Sequence, residues 1–166
     1  MILRLRKSRR MQALTASSST WRCWERQSVR AGWIRCSPTH TPEDIAKVRA
    51  AIGDQAEIMA RVNPLNPNSQ TEIDDAIANG ADVIMLPMWH TADDLRRLVS
   101  MVDGRAKVMP LLETDTAADN LPEALSIPGI DQMHIGLNDL HLCYHQKFMF
   151  QLLADGTVDR LCAGAP

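Results

Sequence analysis

The chain has 166 residues, the length of one ordinary domain, and its 18 basic and 20 acidic side chains are unevenly placed: residues 1–40 hold nine of the former but one acid, Glu25. That head carries about +8 and the rest about −10 with histidine neutral, so nucleic acid is excluded as a partner of the acidic body. No apolar run approaches the ~20 residues that cross a bilayer, no signal-peptide core follows Met1–Arg10, and four cysteines without a CxxC pair exclude a disulfide framework or structural zinc, which fits a cytoplasmic protein with no membrane partner.

Residues 1–38 show neither helical nor strand periodicity; Leu3, Leu5 and Leu14 are isolated, and Trp21, Trp24 and Trp33 stand among arginines. A disordered basic arm, a transit peptide and a stretch out of frame with the rest are the competing readings of this segment. Residues 39–166 form the second region, a folded domain.

From Thr39 the text becomes regular. Thr41-Pro42-Glu43-Asp44 predicts a cap, a first-turn proline and acids at a helix start. Ile45, Val48 and Ile52 share one face of that helix, and Gly53 ends it. Ala56–Val62 is a strand, broken by Asn63-Pro64-Leu65-Asn66-Pro67-Asn68. Ser69 with Glu72 predicts a capping box, Ile73, Ala76 and Ile77 a buried stripe, and Gly80 the helix end.

The pattern then repeats. Val83-Ile84-Met85-Leu86 is an unbroken apolar run, as for a strand covered on both faces. Thr91 caps a helix with Leu95, Leu98, Val99 and Val102 on one side. Ala106–Leu112 is the next strand, followed by a helical stretch from Thr116 that Pro122 restarts. Gln132–Leu137 is the fourth strand, and Phe148–Leu153 predicts a helix turned to the core. The strands begin near 56, 82, 106 and 131. Such spacing is that of βα units, which build a parallel sheet. No glycine-rich phosphate loop follows any strand. The fold class is α/β, a partial TIM (β/α)8 barrel of about four units behind a non-patterned basic segment; a full barrel takes about 200–250 residues. Edges on Ala56–Val62 and Gln132–Leu137 are then expected to be unpaired, which favours association of copies.

In such folds functional groups gather at the carboxyl ends of strands. Those ends read Arg61-Val62-Asn63-Pro64, Leu86-Pro87-Met88-Trp89, Leu111-Leu112-Glu113-Thr114 and Gly136-Leu137-Asn138-Asp139-Leu140. If the third and fourth strands are neighbours, Glu113 and Asp139 lie close enough to repel unless a proton or cation separates them. Oxygen ligands alone suit Mg²⁺ or Mn²⁺; capping of the following helices is the competing use of both carboxylates. Met85, Met88, Met109, Met133 and Met149 read as core fillers. His141-Leu142-Cys143-Tyr144-His145 and the lone His90 and His134 read as incidental or packed.

Arg61-Val62-Asn63-Pro64, Gly80-Ala81-Asp82-Val83-Ile84-Met85-Leu86-Pro87, Pro110-Leu111-Leu112-Glu113-Thr114, Pro128-Gly129-Ile130-Asp131 and His134-Ile135-Gly136-Leu137-Asn138-Asp139-Leu140 occur in that order. Together they resemble the HpcH/HpaI aldolase/citrate lyase β-subunit family over about residues 39–160. The resemblance implies metal carboxylates at Glu113 and Asp139, and at Arg61 a catalytic arginine that contacts the keto-acid oxygen and the enolate. It implies backbone groups at Gly136 and Leu137 that hold a substrate carboxylate. It further implies a carbon–carbon lyase that uses Mg²⁺ or Mn²⁺ on a small-molecule keto acid or CoA thioester; the expectation of a homo-oligomer, if the chain folds, comes instead from the unpaired sheet edges. Leu111 departs from the glutamine that pyruvate-aldolase members carry there. The early strands of the family barrel are not legible before Thr39, and about two further strands are expected beyond Pro166, so an inactive fragment is the alternative.

Overall fold

The computed structural model describes Ile2–Arg4, Leu14–Ser17 and residues 41–163. Its centre is a sheet of β1 (Ile2–Arg4), β2 (Leu14–Ser17), β3 (Ile58–Arg61), β4 (Val83–Leu86), β5 (Lys107–Leu112) and β6 (Gln132–Ile135), in spatial order β1-β6-β5-β4-β3-β2. Strands β2 to β6 are parallel to their neighbours, and β1 runs antiparallel to β6. Each of β3, β4 and β5 is followed by helix and then by its sheet neighbour, so the four βα units read from the sequence lie side by side in chain order. No helix among the described residues is long and apolar enough to cross a membrane.

Two expectations change here. The edges of β3 and β6 are not bare: Leu14 pairs with Ile58 on one side and Ile2 with His134 on the other. Backbone pairing needs no alternation of apolar side chains, so short strands in a non-patterned head escape a search for periodicity. The remaining readings of residues 1–38 lie outside the described residues.

Helix starts follow local chemistry. α1 (Pro42–Ile52) opens at Thr41, whose N–H donates to Asp44 at 3.1 Å, with Pro42 in the first turn. α3 (Ala92–Val102) carries the reciprocal pair, Thr91 N–H to Asp94 at 3.0 Å and Asp94 N–H to Thr91 Oγ1 at 3.3 Å. α2 (Ser69–Ala78) does not use its Ser-x-x-Glu in that way. Ser69 Oγ accepts from Asn66 N–H at 2.9 Å, and Glu72 Oε1 accepts from the Asn63 backbone and side-chain amides at 3.0 and 2.8 Å. The Asn63–Asn68 loop folds back onto the helix start and supplies nearer donors than the helix itself. Thr114 caps α4 (Asp115–Asp119), and Pro122 lies in the first turn of α5 (Leu121–Leu125). The fourth strand ends at Ile135, two residues early, because Leu137 already opens α6 (Leu137–Cys143).

The sheet has two unequal faces. Towards the helices lies the main core, including Ile58, Ala60, Ile84, Leu86, Leu95, Leu98, Leu112 and Leu140, all fully buried. Burying each such Leu or Ile contributes ~1.5–3 kcal/mol. The other face holds a small apolar cluster of Met59, Val83, Met85, Met109 and Leu111. Period-two alternation puts Arg61 on the face of Met59, and Glu113 on that of Met109 and Leu111. Gly129 (φ +94°) lets the chain turn into β6, and a Cβ there would lie 2.8 Å from Val99 Cγ1.

Asp82 and Asp131 stand just before β4 and β6, and each receives the N–H of a neighbouring strand: Ile58 to Asp82 at 2.8 Å, Val108 to Asp131 at 3.0 Å. Arg49 of α1 also pairs with Asp82 and donates to Gly80 O at 2.8 Å. The Gly-Ala-Asp and Gly-Ile-Asp words thus fasten the amino ends of strands, opposite the site. The segment Phe148–Leu153 does not turn to the core. Phe148, Phe150 and Leu153 are exposed, and of α7 (Gln151–Ala154) it is Leu152 that is buried. Four residues make about one turn, too short to present an apolar stripe.

Candidate functional site

Three of the predicted side chains meet at the carboxyl ends of the strands. Arg61 closes β3, Glu113 follows β5 directly, and Asp139 lies in the first turn of α6 behind β6. The Arg61 guanidinium is 3.6 Å from Glu113 Oε1, reaching past the end of β4. Asp139 lies near enough on the β6 side for its charge to raise the Glu113 carboxyl. β5 and β6 are paired neighbours, Leu111 with His134 and Leu112 with Ile135, which is the condition that brings the two carboxylates together.

Glu113 is 2% exposed. Burial pushes its carboxyl up to about 7; the Arg61 charge and the Met88 amide oppose that rise, and the Asp139 charge adds to it. A buried acid beside a second carboxylate holds a proton near neutrality or takes a cation in its place. For a divalent ion the donor set is all oxygen, and among the described residues no group of three or more His, Cys, Asp or Glu side chains converges. Two carboxylates fit Mg²⁺ or Mn²⁺ that completes its shell with water and substrate oxygens.

Gly136 occupies the hinge between β6 and α6. Its N–H donates to Leu112 O at 2.8 Å and is therefore spent within the sheet. Its missing side chain matters more: a Cβ there would lie 3.1 Å from Glu113 Cβ and from Leu111 Cδ1, and 3.5 Å from Glu113 Oε2. Leu137 begins α6, in the turn whose N–H groups have no intrahelical acceptor. Leu111, where pyruvate-aldolase members would carry glutamine, belongs to the apolar cluster beneath the site. His134 pairs across from Leu111 and is half-buried; burial lowers its pKa, as does the Arg61 charge.

Met88 is not a core filler. It is half-buried in the loop between β4 and α3, at φ +51°, and its N–H donates to Glu113 Oε1 at 3.0 Å. A left-handed non-glycine residue costs ~1–2 kcal/mol and marks a conformation the surroundings enforce. The strand-end rule points to Pro87-Met88-Trp89, but nothing in the residue type announces a backbone role. Thr114 is a second group that sequence reasoning passed over: it caps α4 through Ala117 N–H at 3.1 Å and donates to Trp89 O at 3.3 Å. His141 hydrogen-bonds to Leu137 O at 3.2 Å within its own helix.

The family profile described as HpcH/HpaI aldolase/citrate lyase matches residues 40–147, well over half of the sequence. The chain belongs to that family. No match was found among curated proteins. Among solved structures, the HpcH/HpaI aldolase from Desulfitobacterium hafniense is similar at 13% identity and a TM-score of 0.65, over 76% of this chain and 60% of that one. An HpcH/HpaI aldolase/citrate lyase family protein from Burkholderia cenocepacia is similar at 17% identity and 0.63, over 75% of this chain and 62% of that one. The citrate synthase SbnG is similar at 14% identity and 0.63, over 75% and 59%. At these identities the likeness is one of fold, and it establishes the α/β, barrel-type architecture. The chain spans about 60% of the length of these structures.

Proposed function

We propose that this chain is a divalent-metal-dependent carbon–carbon lyase of the aldolase/citrate lyase type. Glu113 and Asp139 hold Mg²⁺ or Mn²⁺, and Arg61 is the catalytic cation. The observation that supports this reading is the convergence of Arg61, Glu113 and Asp139 on one rim of the sheet, with Glu113 buried against a second carboxylate. The substrate class is a small 2-keto acid or an acyl-CoA thioester. In the cleavage direction the bond between the carbon α to the keto or thioester carbonyl and the hydroxyl-bearing carbon breaks, its electron pair becomes an enolate, and the hydroxyl proton of the departing fragment passes to solvent water as that fragment becomes a carbonyl compound. A bound divalent cation would supply Lewis-acid stabilisation of the negative oxygen.

The chain's own residues set the rest. Arg61 presents a fixed positive charge to the same oxygen, stronger in effect on a rim where Glu113 is already desolvated. Leu137 offers its amide from the first turn of α6 to a substrate carboxylate, where the helix end favours an anion. Gly136, its own N–H engaged, keeps that approach open by having no side chain.

Calorimetry with Mn²⁺, with and without pyruvate, on the wild type and on Glu113→Gln tests this. One-to-one binding that pyruvate tightens and the substitution abolishes supports the reading. Absence of saturable binding refutes it and favours an inactive remnant.

A further inference from the structure

We infer that Met88 is a positioning residue of this site, and that it acts through its backbone amide. The inference deepens the proposed metal reading and rests on it for its consequence, though not for its geometry. The two oxygens of Glu113 have different surroundings. Oε1 receives the Met88 N–H at 3.0 Å and faces the Arg61 guanidinium at 3.6 Å. Oε2 is turned towards Gly136, 3.5 Å from where a Cβ would stand. One hydrogen bond and one ion-pair contact on the same oxygen fix the plane of the carboxylate and present the other oxygen to the β6 side. Without them, a buried glutamate has several staggered rotamers to occupy.

The amide points at Glu113 because Met88 is left-handed, and the next βα unit holds it so. Thr114 Oγ1 donates to Trp89 O at 3.3 Å, Asn120 Nδ2 donates to His90 O at 3.1 Å, and His90 Nδ1 pairs with Thr116 Oγ1 at 2.7 Å. On the other side the His90 and Thr91 amides both donate to Asp94, at 3.1 and 3.0 Å. The Trp89 side chain is buried at 2% exposure and anchors the loop from below. Five hydrogen bonds and one buried indole thus hold a single backbone amide on the carboxylate. The Met88 side chain itself is half-exposed. Groups that orient a metal ligand in this way typically change metal affinity about 10–100-fold when lost.

The test separates backbone from side chain. Asparagine and glycine adopt the left-handed region readily, and a β-branched valine resists it. Met88→Asn and Met88→Gly should keep Mn²⁺ affinity within about twofold of wild type, and Met88→Val should lose roughly tenfold or more. Equal losses in all three variants would place the effect in the side chain and overturn the inference, as would three variants indistinguishable from wild type. A second measurement needs no metal. In metal-free protein labelled with ¹⁵N-methionine at about pH 8.5, where Glu113 is ionised, Glu113→Gln should shift the Met88 amide proton upfield more than any other methionine amide, because its acceptor loses its charge. An unmoved Met88 amide overturns the inference even if Met88→Val fails to fold. If the wild type binds no Mn²⁺ yet the amide shifts as expected, the metal reading fails and the positioning of Glu113 stands.

Discussion

Replacing Glu113 by glutamine should stabilise the metal-free protein at alkaline pH, although it removes the residue on which the proposed chemistry depends. The carboxyl is raised from its ordinary 4.5 to about 7 by burial, with Arg61 opposing. The folded state therefore binds a proton that the unfolded chain has already released between those two values. Stability from this group falls as pH rises through that window, because the unfolded state there binds fewer protons than the native one. Below about 4.5 the carboxyl is neutral in both states and nothing is lost; above about 7 the full cost is present. The displacement corresponds to ~3 kcal/mol between the two protonation states. Glutamine keeps the shape and stays neutral, so Glu113→Gln should match wild type within ~1 kcal/mol at pH 4.5 and exceed it by ~2–3 kcal/mol at pH 8.5. Urea denaturation in chelator-treated buffer at both pH values measures the difference, with the slope checked for constancy. Adding Mn²⁺ at pH 8.5 should then raise the wild type and leave the variant where it was. A variant less stable than wild type at pH 8.5, or a difference that does not change with pH, would show that Arg61 already compensates the buried charge and that the reasoning is wrong.

Other perturbations probe the same arrangement from different sides. Arg61→Met removes the charge that opposes the rise in Glu113, so that carboxyl should titrate above about 7; the pH midpoint for Mn²⁺ binding should move up with it, since the metal must displace the proton. Calorimetry across a pH series shows this, and an unchanged midpoint counts against the pair. Gly136→Ala sets a methyl group 3.1 Å from Glu113 Cβ and Leu111 Cδ1. Overpacking of that kind costs ~1–3 kcal/mol, and Mn²⁺ affinity should fall with it; unchanged affinity would mean the hinge has room to give. Asp82→Ala strips the acceptor from Ile58 N–H and the partner from Arg49, at the far end of the sheet. Denaturation should report a loss of ~1–3 kcal/mol, with Mn²⁺ affinity measured below the transition unaltered.

Much of the scaffold is written locally. Thr41, Thr91 and Thr114 each precede a helix that they cap, and Pro42 and Pro122 lie in first turns, because these residue types satisfy or dispense with amide hydrogens that a helix start leaves over. Strand positions followed from apolar runs that recur at the spacing of a βα unit. Ser69 and Glu72 show where such local reading stops. The spacing is right for a reciprocal cap, but Asn63 and Asn66 arrive from the preceding loop and take both acceptors. Phe148, Phe150 and Leu153 show the same limit for hydrophobicity: a short apolar stretch says nothing about which way a single turn faces.

The sequence by itself determined the chemistry available at the strand ends: an arginine after β3, a glutamate after β5 and an aspartate just beyond β6, each at the place where parallel βα folds expose side chains. It also determined that β3 to β6 would be parallel, since strand and helix alternate at a spacing that permits no hairpin. What only the tertiary structure decided is how those groups share one another's surroundings. The pairing of β5 with β6 put two carboxylates within electrostatic reach, burial raised one of them, and Arg61 reached past β4 to meet it. The Met88 amide belongs to this second class. Its direction depends on a left-handed torsion held by hydrogen bonds from the following unit, and a backbone dihedral imposed by distant partners has no letter in the sequence.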